Sequence, residues 1–254
     1  MTSRDQIYAD RQAEVQPFEF SERVVRVFPD MIERSVPGYR QLLELTPLIV
    51  RDAVLENSRV YDLGCSLGAA TLAARRAIQC PGVEIIAVDQ SPQMVARCRM
   101  IVSEDNSLVP VEVMEADACE IPIERASLVL MYFTLQFIAP ERRADLMRRI
   151  ADGLLPGGVL LLAEKLAFDA STQTWLDHHH HAFKRAQGYS DLEIARKRQA
   201  LDNVLIADSR ETHHRRLLEA GFDQVIDWFQ CLNFCCFAAV KGVKGPEARD
   251  QRSG

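Results

Sequence analysis

The chain is short of several things, and each shortage closes a class of function. It has no excess of positive charge: 30 Lys and Arg stand against 36 Asp and Glu, a net charge of -6. A protein that grips phosphate backbones is more often basic, so a small-molecule enzyme is the favoured class. No uninterrupted apolar run is long enough to span a bilayer, and Met1-Thr-Ser-Arg-Asp-Gln is polar, unlike a secretory leader. No membrane role and a cytoplasmic location are expected. The seven cysteines form an odd set without a C-x-x-C pair, so reduced, mostly buried thiols are the favoured reading. Neither G-x-G-x-x-G nor G-x-x-x-x-G-K-[ST] occurs, which removes the dinucleotide fingerprint and the P-loop.

What is present begins with size. The 254 residues, 48% of them hydrophobic, suffice for one large α/β domain with a helical elaboration. The pattern predicts strands at 59–63, 83–89, 110–115, 127–134 and 158–164, with helices near 68–78, 92–104 and 140–153 between them. Such alternation is the signature of a parallel sheet covered on both faces. Leu155-Pro-Gly-Gly158 reads as the turn that stops a helix and launches the fifth strand. Residues 171–207 read as helical without a strand, a natural place for substrate selectivity. A helix near 209–220 and two strands near 222–229 and 233–241 close the domain. Upstream, Ser21 starts a capped helix that Pro29 is expected to interrupt, and a second helix is expected from Tyr39 to Leu55. The domain is thus 21–243. Residues 1–20 are expected to form an extension that drapes over the fold or orders only with ligand, and the charged residues 244–254 are expected to be a disordered tail.

The strongest signal is Arg59-Val-Tyr-Asp-Leu-Gly-Cys-Ser-Leu-Gly-Ala-Ala-Thr71. A buried strand ends at Asp62, Gly64 and Gly68 flank a tight turn, and a helix follows. Small residues let the backbone approach a ligand, and the helix start favours an anion. The next strand ends in Asp89, where a ribose diol is gripped in mononucleotide folds. The third is followed by Asp117, an ordinary turn residue if taken alone, but in series with the other two an acceptor for an adenine amino group. The turn resembles the first motif of class I S-adenosylmethionine-dependent enzymes. Cys65 lacks a paired His nearby in sequence, so backbone contact suits it better than a nucleophile's role. The run His178-His-His-His181 puts His178 and His181 on one helix face, yet no Cys or carboxylate stands at a zinc spacing. It is read as structural or as lining a polar pocket, and no metal is expected. Arg198, within the helical block, reads from composition alone as a surface charge.

Longer words are more specific. Val27-Phe-Pro-Asp-Met-Ile32, Ser35-Val-Pro-Gly-Tyr39, Phe133-Thr-Leu-Gln-Phe137, Phe183-Lys-Arg-Ala186, Gly188-Tyr-Ser190 and Trp228-Phe-Gln-Cys231 accompany the glycine turn. Together, from about 18 to 241, the sequence resembles the carboxy-S-adenosylmethionine synthases. The resemblance implies a class I methyltransferase-like Rossmann fold with a mostly parallel seven-stranded sheet. It implies S-adenosylmethionine and prephenate as reactants, carboxy-S-adenosylmethionine and phenylpyruvate as products, and a hand-off to the carboxymethyltransferase that modifies a tRNA wobble uridine. The synthase itself need not hold the tRNA. A homodimer is implied, with the inserted helices as its contact. Tyr39, Gly64, Cys65, Ser66, Asp89, Gln90, Asp117 and Ala118 match the family's cofactor-contacting positions. Arg198 matches the arginine that salt-bridges the new carboxylate, a task suited to a guanidinium fork. Two positions depart: the family carries Asn where this chain has Tyr132, and often Asn where this chain has Gln90, a milder change that keeps the amide. A phenol lacks the amide's paired donor and acceptor, and Tyr132 is expected still to line the pocket. Two rivals stay in view, a methyltransferase on the same scaffold and a non-catalytic carrier of the carboxylated cofactor.

Overall fold

A computed structural model describes residues 4–10 and 15–243 of the chain. The expected tail from Lys244 lies outside the described residues.

Apolar runs rich in Val, Ile and Leu form β1 (Arg59–Leu63), β2 (Glu84–Asp89), β3 (Val111–Glu115), β4 (Ala126–Tyr132) and β5 (Leu154–Ala167). After them come β6 (Asp208–Ser209), β7 (Gln224–Cys231) and β8 (Phe234–Val240). The sheet order is β3-β2-β1-β4-β5-β8-β7, with β6 pairing to β5 beside that path. The first five are parallel to one another, while β8 runs antiparallel between β5 and β7. The seven-stranded expectation therefore gains an eighth, the two-residue β6, whose shortness leaves no periodicity to detect.

Alternate side chains feed two cores. Val129 and Met131 pack with Leu146, Met147 and Ile150 of α5 (Pro140–Gly153) and Leu217 of α8 (Arg210–Glu219). Leu128 and Leu130, on the opposite face, pack with Val50 of α2 (Tyr39–Ala53) and Ala70, Ala74 and Ala77 of α3 (Ala69–Ala77). Val95, Cys98 and Val102 of α4 (Pro92–Glu104) cover Ala87 and Val113. Helix α4 starts where Ser91 accepts the Met94 N–H, followed by Pro92 at the first helical position.

Three local expectations need correction. Helix α1 (Glu22–Ser35) runs through Pro29 instead of stopping there. The ring removes one backbone donor, but Val24, Val25, Val27 and Met31 bury a continuous face and that packing holds the helix. The helix before β5 ends at Gly153, ahead of the proline-glycine turn. Leu154 already pairs with Ala126, and the next β4 pair is Leu128 with Val159, so residues 155–158 form an irregular excursion within β5. The helical block is two helices, α6 (Ala170–Ala186) and α7 (Asp191–Leu201), broken at Gly188, with a non-helical stretch leading to β6. The Ser190–Glu193 capping box sets the start of α7.

Among the described residues, no helix is long and apolar enough to cross a membrane.

Candidate active site

A cavity of about 360 Å³ opens at the carboxyl ends of the parallel strands, within the size range of small-molecule sites. It lies where the strand order reverses between β1 and β4, the usual ligand crevice of such sheets. Tyr39, Gly64, Cys65, Ser66, Asp89, Gln90, Asp117, Ala118 and Tyr132 all line it.

The glycine turn is tightly built. Gly64 has φ +82°, and a Cβ there would fall 2.1 Å from the Thr134 hydroxyl oxygen, so only glycine fits. Gly68, also at φ +82°, is the N-cap of α3. The Asp89 carboxylate accepts the Ser66 N–H on one oxygen and the Ser91 N–H on the other, each at 2.9 Å. Those bonds fix its orientation and leave lone pairs for a ligand diol. Burial pushes its pKa above the ordinary range, and the two amides oppose that push. Asp62 is buried and accepts the Thr71 hydroxyl at 2.5 Å; burial pushes it up to about 6. Burial alone would also raise Asp117, but the Cys119 N–H and the Arg142 guanidinium at 2.9 Å outweigh it and hold the carboxyl low.

Cys65 is no nucleophile. Contact with the Cys98 thiol, then burial and the Asp62 charge, push its thiol far up, so it stays protonated. Tyr132 half-faces the cavity, but its hydroxyl lies 2.8 Å from Thr46 Oγ1. Thr46 gives its own proton to the Leu42 carbonyl, so the phenol is the donor of that pair.

The opposite end of the cavity holds His180, from the run read as structural or pocket-lining, and three lysines that motif reading missed. Lys165 comes from β5, His180 and Lys184 from α6, and Lys197 from α7. His180 Nε2 meets the Ser35 carbonyl at 2.7 Å, and burial with the nearby Lys184 charge takes its pKa to about 3, so it is a neutral donor there. Lys197 donates to Ser35 Oγ at 2.8 Å. Of the histidine run, only His180 lines the cavity, and among the described residues no group of three His, Cys, Asp or Glu is arranged to hold a metal. The available signals were weak: a Glu-Lys pair ending the apolar β5 run, and Lys184 inside a helical word. Phe18, Phe20, Phe28 and Phe137 form an aromatic cover over the cavity. The described part of the N-terminal extension thus packs on the domain, anchored by the Tyr189 hydroxyl on Asp5. Arg198 does not line the cavity. It is exposed on α7, from where its charge bears on Lys165, Lys184 and His181.

Comparison with known proteins completes the picture. Residues 60–158 match the methyltransferase domain family. A carboxy-S-adenosyl-L-methionine synthase of Erwinia tasmaniensis is 51% identical over 242 residues, covering 95% of this chain and 98% of that protein. One from Stutzerimonas stutzeri is 52% identical, covering 93% and 98%. The chain belongs to the carboxy-S-adenosyl-L-methionine synthase family. A solved O-methyltransferase family protein from Burkholderia thailandensis, at 15% identity and TM-score 0.64, covers 89% of this chain and 62% of that one and shares the class I fold.

As a carboxy-S-adenosyl-L-methionine synthase family member, the chain can be tested for fit to S-adenosylmethionine. Gly64 clears the floor of the turn, Asp89 keeps free lone pairs at the end of β2, and Asp117 stands ionised beyond β3. These groups suit a ribose, an adenine amine and a cationic centre, and the residues fit.

Proposed function

We propose that this protein joins S-adenosylmethionine to the carboxyl group of prephenate, giving carboxy-S-adenosylmethionine, phenylpyruvate and water. The observation that carries the reading is a single cavity with a carboxylate-lined half below β1–β3 and an ammonium-lined half beside β5. The names of relatives about 50% identical over nearly the whole chain support it.

S-adenosylmethionine supplies the sulfonium methyl on which one hydrogen is exchanged for the carboxyl group. Asp89 holds the ribose diol, Asp117 receives the adenine amine, and the backbone of Gly64, Cys65 and Ser66 closes on the remainder. Prephenate is a dianion; loss of carbon dioxide and hydroxide leaves the phenylpyruvate anion, so the departing hydroxide accepts the displaced proton and no protein base is required. The chain's task is to hold two reactants in register and keep water out, which the aromatic cover of Phe18, Phe20 and Phe137 serves.

The product passes to a carboxymethyltransferase acting on a tRNA wobble uridine, in the cytoplasm, without tRNA bound to this acidic chain. The protein works as a homodimer whose contact includes α6 and α7. The test is incubation with S-adenosylmethionine and prephenate, then mass spectrometry against a prephenate-free control. A cofactor product heavier by one carbon dioxide, formed with phenylpyruvate over many turnovers, is expected. Unchanged cofactor from ligand-binding protein would move the methyltransferase or carrier readings ahead.

A further inference from the structure

Strand order divides the cavity. Asp62, Asp89 and Asp117 leave β1, β2 and β3 on one side of β4, whereas Lys165 leaves β5 on the other. Lys184 and Lys197 arrive from helices packed beyond it. Three ammonium groups in one pocket of an acidic protein need an explanation, because mutual repulsion and lost hydration both oppose them. Lys197 has a structural one: it and His180 both bond to Ser35, the last residue of α1, where a cation and a donor suit the helix C-terminus. Lys165 and Lys184 do not. Among the described residues neither ammonium has a hydrogen-bond or ion-pair partner; Asp177 acts on both only at longer range.

An aromatic wall leads from the cofactor half to these lysines. The Tyr39 ring lies 6.3 Å from Phe133, Phe133 lies 5.9 Å from Phe234 edge-on, and Phe234 lies 5.2 Å from His180. Phe234 also pairs across the sheet with Lys165, so ring and ammonium share one register position. A flat apolar face ending in unpaired cations is the complement of an unsaturated or aromatic ring that bears carboxylates.

We infer that Lys165 and Lys184, with the Phe133–Phe234 wall, form the subsite for the ring-bearing carboxylate reactant, the cations taking its carboxylates. This rests on the reading above, in which that reactant is prephenate. It also explains why a chain with so little positive charge to spare puts two lysines inside. The sulfonium half and the dianion half are kept apart by the end of β4 and meet at its terminal turn.

The experiment uses the full chain as wild type, Lys184→Met, Lys165→Met and Lys184→Arg, with thermal melting to check folding. Calorimetry gives the Kd of prephenate and of S-adenosylmethionine separately, and initial rates with mass spectrometry give KM and kcat. Each methionine variant is expected to weaken prephenate about tenfold or more, by binding and by KM, while S-adenosylmethionine moves less than about twofold. Lys184→Arg is expected to recover most of the loss. Removal of a buried unpaired charge is expected to raise the melting temperature of Lys184→Met, which separates lost binding from lost folding. Unchanged prephenate affinity in both methionine variants overturns the subsite, and so does an equal loss for S-adenosylmethionine. Wild type that makes carboxy-S-adenosylmethionine while the variants keep their KM leaves the proposed function standing and the subsite wrong. Lysine-dependent prephenate binding without that product leaves the subsite standing and the proposed function wrong. Wild type that binds no prephenate at all overturns both.

Discussion

The Tyr132 phenol meets the Thr46 hydroxyl at 2.8 Å, where α2 crosses the end of β4. Its polar end is thus committed to the scaffold, and only the ring faces the cavity. Tyr132→Phe is expected to cost about 1 kcal/mol of stability, the worth of one hydrogen bond, and to leave S-adenosylmethionine affinity within about twofold. Tyr132→Asn removes the ring from the wall and restores the family's amide; a loss of about 3 kcal/mol from the lost packing is expected. An amide at this cavity-lining position offers a donor and an acceptor that the phenol, tied to Thr46, does not, so affinity is expected to tighten by about threefold or more despite the lower stability. Calorimetry and denaturant melts check both, and an unchanged Kd in Tyr132→Asn removes this residue from the cofactor wall.

Gly64, with no Cβ and a positive φ, leaves the turn open to a close approach of backbone to ligand. An alanine methyl would strike Thr134 and hold an unfavourable φ, at a cost of about 2–4 kcal/mol. Gly64→Ala is expected to lose more than about tenfold in S-adenosylmethionine affinity as the turn shifts to relieve the contact. Wild-type affinity in that variant would show that the turn is not the cofactor's floor.

Much of this half of the site is legible because its causes are local. A strand, a glycine turn and a helix start lie within thirteen consecutive residues, and the next two strand ends bring Asp89 and Asp117 to the same edge by the βα rule. The ammonium half is not local. Lys165, Lys184 and Lys197 stand on β5, α6 and α7, far apart in sequence, and Ser35 of α1 ties the two helices together. No spacing encodes that meeting, so each lysine reads singly as a solvated charge. Helix α1 illustrates the converse error: Pro29 is a strong local signal, overruled by the apolar face packed around it. The role given to Arg198 rests on resemblance alone; its exposure on α7, outside the cavity, matches the reading as a surface charge.

Glu164 holds the turn that follows β4. Its buried carboxyl group accepts the backbone N–H groups of Thr134, Leu135 and Gln136 at 3.2, 2.9 and 3.0 Å; burial pushes its pKa up to about 8, and those amides and the Arg143 charge oppose the push. An amide keeps the shape but turns a donor toward those donors. Glu164→Gln is expected to cost about 2–3 kcal/mol and to speed hydrogen exchange at residues 134–136. An unchanged melting temperature would mean the three amides find other acceptors.

Substitution of Arg198, which is exposed on α7 and does not line the cavity, tests the product-carboxylate role that the resemblance implies, and with it the choice between a synthase and a methyltransferase on the same scaffold. An uncharged methyl product gives a guanidinium nothing to pair with, whereas a carboxymethyl product does. Arg198→Ala is expected to weaken carboxy-S-adenosylmethionine by about fivefold or more and S-adenosylmethionine by less than about twofold, measured by competition. Equal losses for the two would assign Arg198 to the surface.

The ammonium cluster sets opposite pH responses for stability and for anion binding. Burial, then the charges of Lys197 and Lys165, bring Lys184 down to about 7; Arg198 adds to the push and Asp177 opposes it. Burial brings Lys197 to about 8, with Arg34 adding to the push and Asp5 and Asp30 opposing it. An unfolded lysine keeps its proton to about pH 10.4, so between the folded and unfolded values the unfolded chain binds more protons. The contribution of these groups to stability therefore rises with pH from about 7 toward 10, and is level below 7, where both states are protonated. Prephenate responds the other way, because only the charged ammonium attracts it. Its Kd is expected to weaken severalfold between about pH 6.5 and 9. Asp62, at about 6, is ionised through most of that range, and the S-adenosylmethionine Kd is expected to stay flat. Melting temperatures and calorimetric Kd values at the two pH values, compared with Lys184→Met, isolate the effect from other titrating groups. In the variant both slopes should shrink; a prephenate Kd that is flat in wild type would place the dianion away from these lysines.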